Sequence, residues 1–506
     1  LVRRPLDLGK PLHEAGHELD RGLGHPSEVV CSEIASMAGF ESRIREPLRT
    51  STVLNPKNNR DFWGGVMLEI EVVLRVHAVA VRITLPIVMF LLVSFPTPSA
   101  TAQDPARLYE NVTDTHLPVL DGPSMDAGLA DLDGDGDLDV VVAVEWERNR
   151  VLINNGHGVF SDESESRLPF SAFDSEDVGI VDVDGDGDLD LVFVSEENQE
   201  NELFLNNGNG IFTRAGERLG SAWGVSNALH VADVDVDGSP DLVIGNAGFN
   251  WLLMNDGQGW FHHAPDRLPW RGSSTEDVEL ADIDRDGDLD ILDAGESDNR
   301  IVINIGDGFF EHTDGWIEFR NSPEETREAD LADVDCDGDL DIYFANVHLS
   351  VEGSDPRDRL VINNGLGRFT DETEARIPAD DLDTWEVDFI DVDCDGDLDI
   401  ITGNGELEYR PTWPTSRLIR EEPFLVLLND GDGFFTDATE QVFPDGIQGY
   451  GWDVAAGDVD GDGAVDLYLA SRFTRDFLLL STAEGPCEIQ PCQPPGPRRS
   501  GRRVTP

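Results

Sequence analysis

Basic residues are scarce in this chain. Its 506 residues include 36 lysines and arginines against 102 aspartates and glutamates, a formal net charge of −66. Such an imbalance excludes nucleic acid and anionic membrane surfaces as partners, because like charge repels both. Cysteine is sparse too: five residues are too few for a disulfide scaffold. Cys336 and Cys394 hold the same variable position of two repeated segments and are expected to stand too far apart to bridge. Cys487 and Cys492 are close enough in sequence to close a small local loop. Long apolar runs are also lacking. The mostly apolar stretch at residues 83–95 has thirteen residues, short of a bilayer span. From residue 103 onward there is no serine nucleophile elbow, histidine cluster or phosphate-cradling glycine loop. His230 has no catalytic partner near it in sequence.

Aspartate, by contrast, is abundant and in register. The pattern Asp-x-Asp-x-Asp-Gly-x-x-Asp starts at Asp131, Asp182, Asp233, Asp282, Asp333, Asp391 and Asp458, at spacings of 51, 51, 49, 51, 58 and 67 residues. A period near 50 with one such loop per unit predicts a closed repeat architecture. In Asp131-Leu132-Asp133-Gly134-Asp135-Gly136-Asp137-Leu138-Asp139, the carboxylates at positions 1, 3, 5 and 9 converge, position 6 makes the sharp turn, and position 7 offers its carbonyl. Hard oxygen ligands in a flexible loop suit Ca2+ better than Mg2+. The expected side-chain ligands are Asp131, Asp133, Asp135, Asp139; Asp182, Asp184, Asp186, Asp190; Asp233, Asp235, Asp237, Asp241; and Asp282, Asp284, Asp286, Asp290. They continue as Asp333, Asp335, Asp337, Asp341; Asp391, Asp393, Asp395, Asp399; and Asp458, Asp460, Asp462, Asp466. About seven structural calcium ions follow, offsetting part of the charge. An EF-hand would need Glu at position 12 between helices; here short β-branched runs flank the loop, so the flanks are strands.

Asn/Asp-Gly turns recur as Asn154-Asn155-Gly156, Asn206-Asn207-Gly208, Asn255-Asp256-Gly257, Asn363-Asn364-Gly365 and Asn429-Asp430-Gly431, marking tight hairpins. Four short strands per unit describe a propeller blade. The chain enters with residues 108–113, a fourth-strand segment, and leaves with residues 477–480, a third-strand segment. Together they complete one blade, so the expectation is an all-β, seven-bladed β-propeller closed by both ends.

The motifs Asp182-Val183-Asp184-Gly185-Asp186-Gly187-Asp188-Leu189-Asp190 and Asn206-Asn207-Gly208-Asn209-Gly210-Ile211-Phe212 resemble those of the FG-GAP/VCBS family of secreted propellers, related in design to the integrin alpha-chain head. The resemblance covers roughly residues 106–481 and implies structural calcium on one face of the disc. That family includes adhesion modules and some enzymes, so the resemblance leaves function open.

Residues 67–102 read as a secretory signal: Arg75 and Arg82, the apolar core, then small residues ending at Ala102. Residues 1–66 are then expected to lie outside the mature protein, behind a start at Met67. They contain His13-Glu14-Ala15-Gly16-His17, the spacing of a zinc-protease helix, with His25 as a conceivable third ligand. Pro11 and Gly16 weaken any such helix, and the bland reading is discarded sequence. Residues 103–481 form the propeller and 482–506 a flexible Pro/Arg-rich tail. The product is expected to be a monomer, secreted or at the cell surface, with no membrane insertion after signal cleavage.

Extra length in the fifth and sixth units, residues 347–358 and 403–422, falls on the face opposite the Asp loops. Trp146, Trp223, Trp270, Trp385, Trp413 and Trp452 lie in or beside loops of that face, a candidate stacking platform or, equally, inter-blade packing. Five residues before each Asp loop stand Asp126, Asp177, Ala228, Asp277, Glu328, Glu386 and Asp453. The pairs Asp277/Glu279 and Glu386/Asp388 are candidates for acid–base chemistry, unless solvent or backbone N–H groups hold them. The favoured function is a calcium-stabilised binding or adhesion module for an extracellular glycan or protein. The alternatives are a polysaccharide lyase or glycoside hydrolase, and a passive cell-surface structural protein.

Overall fold

A computed structural model describes residues 107–483 and 485, apart from 121, 197–198, 221, 270–272, 297–298, 314–316, 318–323, 352–353, 380–381 and 410–416. The upstream segment with His13 and His17, the signal segment, Trp270, Trp413, Cys487, Cys492 and nearly all of the tail lie outside the described residues.

The second strand of each unit is the apolar run that follows an Asp loop. In the first unit it spans Asp139–Val144, and every residue from Val140 to Val144 is fully buried. It pairs antiparallel with Ser124–Ala130 on one side and Arg150–Asn154 on the other, and Phe160–Asp162 completes the blade. A strand buried on both faces reads as a continuous hydrophobic run, which explains why alternation is absent there. Seven such four-stranded units follow one another among the described residues, led by Ser124–Ala130, Ser175–Val181, Ser226–Ala232, Ser273–Ala281, Thr326–Ala332, Thr384–Ile390 and Gly451–Gly457.

Each leading strand packs against the next, and the seventh packs against the first, closing a ring around an axis. The last unit is built from both ends of the described chain: Tyr109–Asn111 pairs antiparallel with Phe477–Ser481, registering Tyr109 with Ser481 and Asn111 with Leu479. The apolar core lies between blades. Val141 and Val151 of the first blade meet Leu191, Phe193 and Phe204 of the second, where Phe193 and Phe204 stack edge-on at 6.0 Å.

The sequence did not announce the one-turn helices Thr113–His116, Ser164–Arg167, Thr373–Arg376 and Thr439–Val442, which carry the chain from a fourth strand toward the next blade. The sixth-unit insertion is a ribbon: the second strand runs on as Asp399–Tyr409 and pairs with Arg417–Pro423. The expectation of unbridged loop cysteines is corrected. Cys336 and Cys394, the two cysteines among the described residues, are both disulfide-bonded. Asn429 straps the two loops that hold them, donating to Val334 O and to Leu398 O.

Candidate functional site

The seven Asp loops share one geometry. Position 1 folds the loop: Asp131 Oδ1 accepts the Gly134 and Asp135 N–H groups at 2.8 and 3.2 Å, and Oδ2 accepts Gly136 N–H at 3.0 Å. Position 9 ties the loop down. Asp139 accepts Leu132 N–H at 3.2 Å through one oxygen and Asn154 N–H at 2.8 Å through the other. The same pair of bonds recurs at Asp190, Asp241, Asp290, Asp341, Asp399 and Asp466. Position 4 is left-handed in every copy with a side chain there: φ is 59° at Val236, 64° at Arg285, 55° at Cys336 and 62° at Cys394.

The donor set fits a hard divalent cation. Oxygens of Asp131, Asp133 and Asp139 lie within 4.8 Å of one another, as do those of Asp182, Asp184, Asp190 and of Asp233, Asp235, Asp241. At position 3 one oxygen faces an arginine: Asp184 meets Arg218 at 3.2 Å, Asp235 meets Arg267 at 3.0 Å, and Asp335 meets Arg376 at 3.2 Å. The other oxygen of each, together with Asp282 Oδ1, is buried without a hydrogen-bond partner. A buried unpaired carboxylate oxygen is costly unless something cationic meets it. Burial, reinforced by the carboxylates at positions 3 and 5, raises the position-9 acids to about 7 at Asp139, Asp190, Asp241, Asp290 and Asp466, and to about 8 at Asp341 and Asp399.

Two side chains that sequence reasoning missed lock the loops across blades. In five of the turns the first Asn is a strap as well as a turn former. Asn206 Nδ2–H donates to Leu189 O of its own loop at 3.0 Å and to Leu132 O of the preceding loop at 2.8 Å. Asn154, Asn255, Asn304 and Asn429 bond their own and the preceding loop in the same way. The arginines that meet position 3 also donate to a carbonyl of the next turn: Arg167 to Asn209 O, Arg218 to Gln258 O, Arg267 to Asp307 O and Arg376 to Asp432 O. Three of them lie over an aromatic ring, Arg218 over Trp260, Arg267 over Phe309 and Arg376 over Phe434. The signal was available: an Arg recurs at 167, 218 and 267, about 34 residues after each position-3 Asp.

At the opposite ends of the leading strands an axial cavity of about 530 Å³ opens. A register shift precedes the position five residues before each Asp loop, acidic in six of the seven leading strands, between Ser124 and Asp126 in the first and Thr384 and Glu386 in the sixth. Such a bulge re-aims the following side chain. Four of these acids clamp the next blade: Asp126 accepts Val178 N–H at 2.6 Å, Asp177 accepts Leu229 N–H at 2.6 Å, Asp277 accepts Ala329 N–H at 3.1 Å, and Asp453 accepts Ala127 N–H at 2.9 Å. In the fifth blade Asp330, two residues further on, does this work for Phe389 N–H at 3.1 Å. Of the acid–base candidates, Asp277 and Glu279 do come together, joined by Glu328, with oxygens within 4.8 Å. Glu279 also pairs with His230 Nδ1 at 3.3 Å, the partner that sequence proximity could not reveal. Glu386 is 7 % exposed; burial first, then Asp453 and Asp388, hold its carboxyl well above the usual range. Asp388 is raised to about 7, chiefly by burial.

The tryptophans divide. Trp223 is exposed, in a short strand paired with Gln199–Glu200. Trp146 is exposed as well. Trp385 is buried at 5 %, donates Nε1–H to Gly405 O at 2.7 Å and stacks on Trp452 at 4.6 Å, with Tyr450 against both. Trp385 and Trp452 nevertheless line the cavity, with Arg327 over the first at 5.3 Å and Arg472 over the second at 4.4 Å. The fifth-unit insertion is tied in by Glu325, whose carboxylate accepts the N–H groups of Leu349, Ser350 and Val351 at 2.8–3.0 Å. Burial opposes its charge, yet those bonds and Arg327 outweigh it, and its carboxyl lies below the usual range.

No curated protein matches the chain. Among solved structures, an Agrocybe aegerita lectin described as recognising non-reducing terminal N-acetylglucosamine is 19% identical, with a TM-score of 0.42 over 70% of this chain and 86% of that one. BBS1N, in complex with ARL6DN, is 11% identical, with a TM-score of 0.49 over 76% of this chain and 99% of that one. The sheet topology and the repeat model, rather than these likenesses, define the fold. The FG-GAP-like repeat model matches residues 131–193, 182–244, 233–293, 347–402 and 418–469, more than half of the chain. With those five matches falling on the units that carry the Asp loops, the chain belongs to the FG-GAP-like repeat family.

Proposed function

We propose that this chain is an extracellular binding module, stabilised by calcium in its Asp loops, that takes a glycan or protein ligand on the opposite face. The observation that carries this reading is the axial cavity, where Arg472 over Trp452 and Arg327 over Trp385 put aromatic surface and polar donors together. Aromatic faces with a few oriented polar groups are what sugar rings and peptide side chains recognise. The calcium part rests on the orphaned position-3 oxygens. No helix among the described residues is long and apolar enough to cross a membrane. The second reading, cleavage of a polysaccharide by axial carboxylates, draws support from the close Asp277, Glu279 and Glu328 oxygens. Against it, Asp126, Asp177, Asp277 and Asp453 are already engaged in holding the next blade.

The test is size-exclusion chromatography of the purified chain in calcium with a panel of soluble polysaccharides, following co-elution and polymer length together. Co-elution with unchanged polymers, weakened about tenfold or more by Trp452→Ala, supports the binding module. Shortened polymers reject it and direct mutagenesis to Asp277 and Glu386. Neither effect moves the glycan part of the proposal to a protein ligand.

A further inference from the structure

The ring of acids at the axis is uneven. Asp occupies the position after the bulge in the first, second, fourth and seventh blades, and each Asp bonds the N–H of the next blade. Glu replaces it in the fifth and sixth blades. One methylene longer, Glu328 and Glu386 do not make that bond. Glu386 is more than nine-tenths buried and lines the cavity, yet it has no hydrogen-bond or ion-pair partner among the described residues. In the same cavity, oxygens of Asp277, Glu279 and Glu328 lie within 4.8 Å of one another.

The cavity's arginines do not answer these charges. Arg327 is held by Glu276 at 2.5 Å and Glu325 at 2.6 Å. Arg472 is held by both oxygens of Glu145 at 2.8 and 3.0 Å. Among the described residues His230 alone approaches, and it meets Glu279. Three convergent carboxylates and a fourth, unpartnered one in a water-accessible pocket make a hard-oxygen site.

We propose that Asp277, Glu279, Glu328 and Glu386 bind one divalent cation, calcium, on the axis of the propeller, separate from the Asp loops. This site stands whether or not the face above it binds a glycan or protein.

The experiment counts metal. The purified wild-type chain and Glu328→Gln/Glu386→Gln are dialysed to equilibrium in calcium, and bound ions per chain are measured by mass spectrometry. One ion fewer in the variant is expected; equal counts overturn the proposal. Thermal unfolding supplies a readout that a damaged fold would not imitate. Without calcium the double variant should melt at a higher temperature than wild type, because two buried acids disfavoured by burial and by neighbouring carboxylates become neutral amides, and it should gain less from added calcium. A lower calcium-free melting temperature together with an unchanged gain from calcium overturns the site. If the double variant does not fold, Glu386→Gln alone is examined by terbium luminescence in a Trp260→Phe background, which removes the tryptophan beside Arg218. Emission sensitised by Trp385 and Trp452 should fall in Glu386→Gln and persist in the loop variant Asp460→Asn. Equal emission in Glu386→Gln and its background rejects the proposal.

Discussion

Replacing Asn206 with Ala probes how the blades are held together. The side chain is 7 % exposed and makes four bonds. Nδ2–H donates to Leu132 O and Leu189 O at 2.8 and 3.0 Å, and Oδ1 accepts Asn207 N–H and Gly208 N–H at 2.8 and 3.2 Å. The turn N–H groups can turn to water, so their loss costs little. The two carbonyls sit in the seam between loops, where each lost bond costs about 1 kcal/mol and a stranded acceptor about 1 kcal/mol more. The sum is roughly 4 kcal/mol. At about 2 cal/mol/K per residue over some 375 folded residues, that lowers the melting temperature by ~5 °C. The assay is urea and thermal unfolding in constant excess calcium, with Asn207→Ala as control. Asn207 is the exposed neighbour whose side chain accepts only Asn209 N–H at 3.2 Å, and its loss should stay within ~0.5 kcal/mol. If the two variants unfold alike, the seam bond does not bind one blade to the next.

Val236 holds φ at 59° and is 72 % exposed, where other copies of the loop have Gly134, Gly185 and Gly461. Val236→Gly should therefore raise stability by about 1 kcal/mol in chemical denaturation, and any loss refutes the strain reading. Chelating calcium should lower the melting temperature, and restoring it at a hundredfold excess over Kd should return about 2.7 kcal/mol per site; an unchanged melt rejects the Asp loops as metal sites. Burial raises Asp293 from 3.8 to about 7, although Thr275 Oγ1–H donates to it at 2.8 Å and Arg300 opposes the shift. The folded protein then holds a proton that the unfolded chain releases near pH 4, so stability falls as pH rises from about 4 through 7. Asp293→Asn should flatten that decline by at most roughly 4 kcal/mol in unfolding titrations at fixed calcium, and parallel curves would count against it.

The loops, the hairpin turns and the sharing of the last blade were legible because each is written in consecutive residues. Asp131 to Asp139 folds on itself, and Asn206-Gly208 turns on itself. What escaped notice runs between units. The acid five residues before each loop was visible as a pattern, but its role as a clamp was not, since Asp126 bonds Val178 and Asp277 bonds Ala329, 52 residues onward in both cases. The bulge that aims these acids leaves only a weak mark, a Ser or Thr two residues earlier in six of seven blades. On sequence alone, its place in a loop makes Trp385 a platform candidate. Tyr450, 65 residues away, covers one of its faces and makes it half platform and half core.

The pairing of Tyr109–Asn111 with Phe477–Ser481 makes the ring a clasp. Thr113 Oγ1 and Leu478 bond each other in both directions across 365 residues of chain. During synthesis the early strand emerges long before its partner, so the last blade stays open and Tyr109–Asn111 unpaired until Phe477–Ser481 is made. The entropy of bringing such distant segments together grows only logarithmically with their separation, about 0.6 kcal/mol per doubling, so the lateness is kinetic more than thermodynamic. Moving the ends to a loop between two other blades would place that seam elsewhere while leaving every blade's strand pairing intact. The order in which the blades are completed is therefore a property of where the chain is cut, not of the ring it forms.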